Sequence, residues 1–133
     1  MDWKRARVAA SRIRFAVFVE EQRVPLAMEL DELDSQGVHA LAYAPHGEAV
    51  ATGRLLPDAH IGRMAVLKPW RGQGIGGAIL ECLVAAACER GEREVALLAQ
   101  THALEFYRRH RFHAEGETYL EAGIPHRRMR RAL

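Results

Sequence analysis

Apolar and charged side chains recur with the spacing of a helix over the first twenty residues. Val8, Ile13, Phe15, Val17, Phe18 and Val19 supply a broad apolar side, with Arg5, Arg12 and Arg14 between them. The pattern predicts one amphipathic helix from Trp3 to Gln22, ended by Pro25. An acidic segment follows, Glu29-Leu30-Asp31-Glu32-Leu33-Asp34, closed by Gly37. Val38 to Ala44, Glu48 to Leu56 and His60 to Leu67 then read as strands, separated by turns at Pro45-His46-Gly47 and Pro57-Asp58-Ala59. Helical spacing returns from Ala78 to Arg90, in Ile79, Leu80, Leu83, Val84 and Ala87, with Gly91 placed as the stop. Val95 to Ala99 is almost wholly apolar, which predicts a strand buried on both faces. Thr101 reads as the N-cap of a short helix through His110. Two more strands are expected from Phe112 onward, through Thr118-Tyr119-Leu120 and near Arg128 to Arg130. This order gives a mixed, mostly antiparallel α/β sheet flanked by helices.

With 133 residues, 49% of them hydrophobic, the chain is long enough to bury one core, and residues 1–133 read as a single domain. Lys plus Arg number 19 against 17 Asp plus Glu, a near-balance that argues against a nucleic-acid partner. The run Arg127-Arg128-Met129-Arg130-Arg131 reads as a solvated end. No long apolar run is present, so neither a signal peptide nor a membrane partner is expected. Cys82 and Cys88 fall on different faces of one helix and are expected to pack as small apolar groups. That usage fits a cytoplasmic location. No spacing of His, Cys and carboxylates suggests a metal site.

The candidate chemistry lies in Arg71-Gly72-Gln73-Gly74-Ile75-Gly76-Gly77, between an expected strand and an expected helix. Glycines there leave backbone N–H groups uncovered, and the helix dipole adds positive potential, so the run suits a phosphate. A P-loop would need Lys followed by Ser or Thr, which is absent. A dinucleotide fingerprint fits formally at Gly72, Gly74 and Gly77. However, it follows an antiparallel hairpin, and too little chain remains for two nucleotide-binding halves.

Arg71-x-x-Gly74-x-Gly76 resembles the R/Q-x-x-G-x-G/A pyrophosphate loop of the GNAT superfamily of N-acetyltransferases. Gly62 to Val66, running into Lys68-Pro69-Trp70-Arg71, looks like that family's fourth strand and its loop. Ala103 to Phe112 looks like its A-x-x-F-Y-x-x-x-G-F helix. Val17-Phe18-Val19-Glu20-Glu21-Gln22, Glu29-x-Asp31-x-x-Asp34 with His39, and Gly123-Ile124-Pro125-His126 are similar to the ElaA-like branch. The resemblance implies a sheet splayed between the family's strands 4 and 5. It also implies transfer of an acetyl group from acetyl-CoA to a primary amine by direct attack. The acceptor would be a small-molecule or peptide amine.

Met64, Ala65, Val66, Arg71, Gly72, Gln73, Gly74, Ile75, Gly76, Gly77 and Tyr107 would then contact the donor, and Tyr107 would be the general acid. Base candidates are Glu20, Glu21, Glu29, Asp31, Asp34, His39 and His126, with Glu21 and His126 foremost. Glu29, Asp31 and Asp34 would draw in a cationic amine; a solvated, helix-capping acidic loop is the competing reading. The alternative function is a non-catalytic acyl-CoA-binding regulatory module.

Two departures from the family pattern stand out. The strand that usually precedes the first helix is reduced to a stub or missing, which leaves an open sheet edge and makes a homodimer a candidate assembly. Arg111 stands where the family has a left-handed glycine, at a cost of about 1–2 kcal/mol.

Overall fold

The computed structural model describes residues 1–25 and 32–133. Helix α1 (Trp3–Arg14) is capped by Asp2, whose side chain accepts from the Arg5 N–H at 3.0 Å. It does not continue as an α-helix to Gln22. Phe15–Glu21 widens into a π-helix, and the Gln22 N–H reaches back to the Val17 carbonyl at 3.0 Å. Two aromatic and two β-branched side chains within Phe15 to Val19 crowd an ordinary α-turn. Such widened turns concentrate at functional sites.

Six strands follow: β1 (Val38–Tyr43), β2 (Ala49–Leu55), β3 (His60–Val66), β4 (Glu94–Gln100), β5 (His113–Glu121) and β6 (Ile124–Ala132). They lie side by side in the order β1-β2-β3-β4-β6-β5, antiparallel throughout except for the parallel pair β3 and β4. Helix α2 (Ile75–Glu89) joins β3 to β4, and α3 (Leu104–Arg109) precedes β5. Every residue of β2 is buried, so the sheet is covered on both faces at this strand. Ile79, Leu80, Leu83, Val84 and Ala87 of α2 pack with Leu55, Ile61, Val95 and Leu97, while Ile13 and Val17 pack with Ala49 and Ala65. At the outer edge of β1, the Met1 backbone donates to and accepts from that of His39, a one-residue stub of pairing.

Several local expectations change. Cys82 and Cys88 are exposed rather than packed, because the buried stripe of α2 passes between them. Thr101 makes no side-chain cap; a 3₁₀ turn over Thr101–Ala103 leads into α3, and the Leu104 N–H is satisfied by the Thr101 carbonyl. In β4, Val95, Ala96, Leu97 and Ala99 are buried, but Leu98 is 47% exposed and faces a cleft.

Arg111 adopts the left-handed conformation, φ 68°, that the missing glycine would take. The end of α3 is a Schellman motif. The Phe112 N–H donates to the Tyr107 carbonyl at 3.1 Å, and the Arg111 N–H to that of Arg108 at 2.9 Å. The buried Phe112 ring packs 6.0 Å from Tyr107, the matching apolar contact. Burial of Phe112 thus holds the arginine in its strained conformation. Arg111→Gly is expected to raise stability by about 1 kcal/mol, read as a higher denaturation midpoint in urea at unchanged slope.

Candidate active site

β3 and β4 pair only at His60 with Ala96 and Ile61 with Leu97, and no ladder joins them beyond those two rungs. β3 also bulges. Thr52 pairs with Ala65 and Arg54 with Gly62, so Gly53 of β2 faces both Arg63 and Met64. A β-carbon on Gly53 would sit 2.7 Å from Cγ2 of Ile79, so glycine is what lets α2 press against the bulge. The result is a wedge within the sheet, with Met64 to Val66 on one wall and Leu98 and Gln100 on the other. It is part of a cleft of about 1420 Å³. Single-ligand sites hold roughly 300–1,000 Å³, so two reactants fit.

The glycine run sits at the mouth of the wedge and divides into two jobs. Gly72 (φ 77°) and Gly74 (φ 80°) are left-handed and open, with no atom near where a β-carbon would stand. Gly74 is the N-cap of α2, so the first-turn N–H groups of that helix point outward with no side-chain cap. Gly76 and Gly77 instead face the α3 segment, and only at Gly77 is the approach close. Added β-carbons would lie 3.6 Å from Phe106 and 3.0 Å from Nε2 of His110. The open half fits a pyrophosphate, with Gln73 and Ile75 supplying further backbone. Arg71 donates from Nε to the Val66 carbonyl at 2.9 Å, and from Nη1 and Nη2 to Glu21 at 2.6 and 2.7 Å.

Tyr107 lines the same cleft, its ring edge-on to Phe106 at 5.0 Å. Its hydroxyl donates to the Met64 sulfur at 3.9 Å, a weak acceptor that a better one would displace. Burial pushes the phenol up to about 12, so it keeps its proton at neutral pH.

On the other side of the wedge, Gln22 and Gln100 exchange amide hydrogen bonds at 2.8 and 3.3 Å. Nε2 of His102 donates to the same Gln100 oxygen at 2.6 Å. His126 of β6 is the ladder partner of Gln100. Its Nδ1 donates to the Ile124 carbonyl at 2.7 Å, which leaves Nε2 as the acceptor, 3.9 Å from the Glu121 carboxylate.

Asp34 stands apart from this group. It is 5% exposed, clamped by Nη1 and Nη2 of Arg14 at 2.9 and 3.0 Å and by Nη1 of Arg54 at 3.0 Å. Those arginines are 2% and 6% exposed. Burial alone would raise the Asp34 carboxyl, but the guanidiniums of Arg14 and Arg54 outweigh it and hold it low. Asp34 therefore braces α1, β2 and the turn that carries it, rather than facing an acceptor. Glu21 is likewise engaged: the Arg71 hydrogen bonds lower its carboxyl, which makes it a poor base while paired. Glu29 and Asp31 lie outside the described residues. Gln100 and His102 escaped the sequence reading, since neutral amides and a lone histidine at a strand end carry no spacing signal. Among the described residues no group of His, Cys, Asp and Glu could hold a metal ion, and no helix is long and apolar enough to cross a membrane.

The geometry has counterparts in known proteins. The acetyltransferase (GNAT) domain family matches residues 7–133. The N-acetyltransferase YjcF of Bacillus subtilis is 40% identical over 122 residues, covering 88% of this chain and 86% of that protein. An acyl-CoA N-acyltransferase from Pseudomonas aeruginosa superposes with a TM-score of 0.82 at 38% identity, covering 93% of this chain and 88% of the other. Escherichia coli ElaA also gives 0.82, at 32% identity, covering 92% and 87%. Agreement of that extent, on top of a split sheet with a glycine loop at its mouth, shows that this chain belongs to the GNAT superfamily and is an N-acetyltransferase of the ElaA-like branch.

Proposed function

We propose that the protein moves an acetyl group from acetyl-CoA to a primary amine by direct attack, with Tyr107 as general acid. The observation that carries this is the Tyr107 hydroxyl, kept protonated and resting on a weak sulfur acceptor beside the wedge. The open glycines and the first turn of α2 take the pyrophosphate. The β4-facing edge of Met64, Ala65 and Val66, which makes no ladder to β4, lines the thioester arm and offers an N–H to the carbonyl oxygen as it gains charge. The amine nitrogen attacks the carbonyl carbon, the carbon–sulfur bond breaks, and the departing thiolate takes the Tyr107 proton. The proton lost by the amine goes to Nε2 of His126, which lies 3.9 Å from the Glu121 carboxylate.

Calorimetric titration tests the donor site. Micromolar binding of acetyl-CoA is expected, with none of NAD. Gly74→Glu should abolish it, by straining a left-handed position and placing a carboxylate where the phosphates belong. A folded protein that binds no acetyl-CoA overturns the reading.

A further inference from the structure

Glu21 and Gln22 close the π-helical turn, and their side chains run to opposite walls of the wedge. Glu21 grips Arg71 on the loop after β3, and Gln22 grips Gln100 at the end of β4. The two strands share rungs only at the start of β3 and the middle of β4, so the dipeptide is a strap across the open end.

The fork of Arg71 presents two parallel N–H groups, a shape that suits a carboxylate or a phosphate. Glu21 fills it, while Nε is committed to the Val66 carbonyl. The pair neutralises itself, so the loop offers an incoming pyrophosphate its amides and helix dipole but an arginine already matched by a carboxylate. Leaving Glu21 in place beside the phosphates would set like charges against one another.

We infer that Glu21 competes with the donor's pyrophosphate for Arg71, so that donor binding releases one arm of the strap while Gln22 holds the other. This rests on the donor reading above. Glu21 lines the cleft, so its release adds a carboxylate there once the donor is seated. That is the moment at which a cationic amine is wanted. Glu21 and Gln22 are thus positioning residues that couple the two substrates.

The test compares wild type and Glu21→Gln against two donors, acetyl-CoA and S-acetylpantetheine, which lacks the pyrophosphate. Glutamine keeps the shape and gives up the charge that holds Arg71. Acetyl-CoA is expected to bind Glu21→Gln roughly tenfold more tightly, the scale of one charged hydrogen bond redirected to the ligand. S-acetylpantetheine should bind both proteins equally, and the gain should vanish in an Arg71→Gln background. Both side chains are more than a third exposed, so the fold should tolerate the change, and Glu21→Ala should act with the same sign. Unchanged or weaker acetyl-CoA binding by folded variants overturns the competition. So does loss of the fold in both variants, since the strap would then be a structural tie. Wild type that fails to bind acetyl-CoA removes the donor reading itself; wild-type binding without a gain in Glu21→Gln removes only the competition.

Discussion

Tyr107→Phe lowers kcat by roughly 10²–10⁴-fold while leaving acetyl-CoA affinity within about twofold of wild type. The expectation rests on where the ring and the hydroxyl do their separate work. The ring packs against Phe106 and Phe112, contacts that phenylalanine keeps. The hydroxyl gives up only a 3.9 Å contact to the Met64 sulfur, so its loss costs the fold little. On the proposed mechanism, what disappears is the proton for the thiolate, needed only as the carbon–sulfur bond breaks. The effect therefore belongs in kcat rather than in binding. Single-turnover kinetics with a reactive amine, set beside calorimetry, separate the two. Full activity in Tyr107→Phe would mean that water protonates the thiolate.

The largest effect on stability is expected at Asp34. Asp34→Asn keeps the shape of the side chain but removes a carboxylate charge that two arginines, each almost wholly buried, share. A cost of about 3–5 kcal/mol is expected. The exposed pair of Arg12 and Glu48, at a similar distance of 2.8 Å, supplies the contrast: solvent screens it, and Glu48→Gln should leave the denaturation midpoint nearly unchanged. Urea denaturation of the two variants measures both. Acidification should act through the same cluster. Burial holds the His39 ring below its ordinary value of 6.5, and the two arginines hold Asp34 below 3.8. In both cases the unfolded chain binds protons more readily than the folded one. Stability is therefore fully present above about pH 6.5. It falls as His39 begins to demand a proton and falls further through the carboxylate range. Melting temperatures between pH 7 and 3 should decline monotonically in wild type, and less steeply in Asp34→Asn.

The elements were legible where one face decides burial. The buried stripe of α2 was read residue for residue, and the three strands before it were placed within about one residue of their observed ends. The glycine loop was legible because backbone needs leave a mark in residue type. Less readable were features fixed by partners distant in sequence. Arg14 read only as an arginine set between the apolar positions of the first helix, like Arg5 and Arg12, yet it is buried because Asp34 and Arg54 fold over it. Asp34 read as part of an acidic surface for the same reason. The division of four glycines into an open pair and a packing pair needed the position of α3. The pairing of Glu21 with Arg71, fifty residues apart, needed the π-helical turn, which no periodicity announced.

The two-rung seam between β3 and β4 has a consequence for the life of the protein. A sheet left unpaired at its centre forgoes part of the cooperativity that a closed ladder would supply. On the proposed placement, a seated acyl-CoA donor would replace it, bridging the halves from within. By mass action, a donor at a hundred times its Kd adds about 2.7 kcal/mol to the folded state. Open forms accessible to proteases become roughly a hundredfold rarer at that concentration. The donor pool would then govern how long each copy survives as well as how fast it turns over, with starvation for the donor shortening its lifetime.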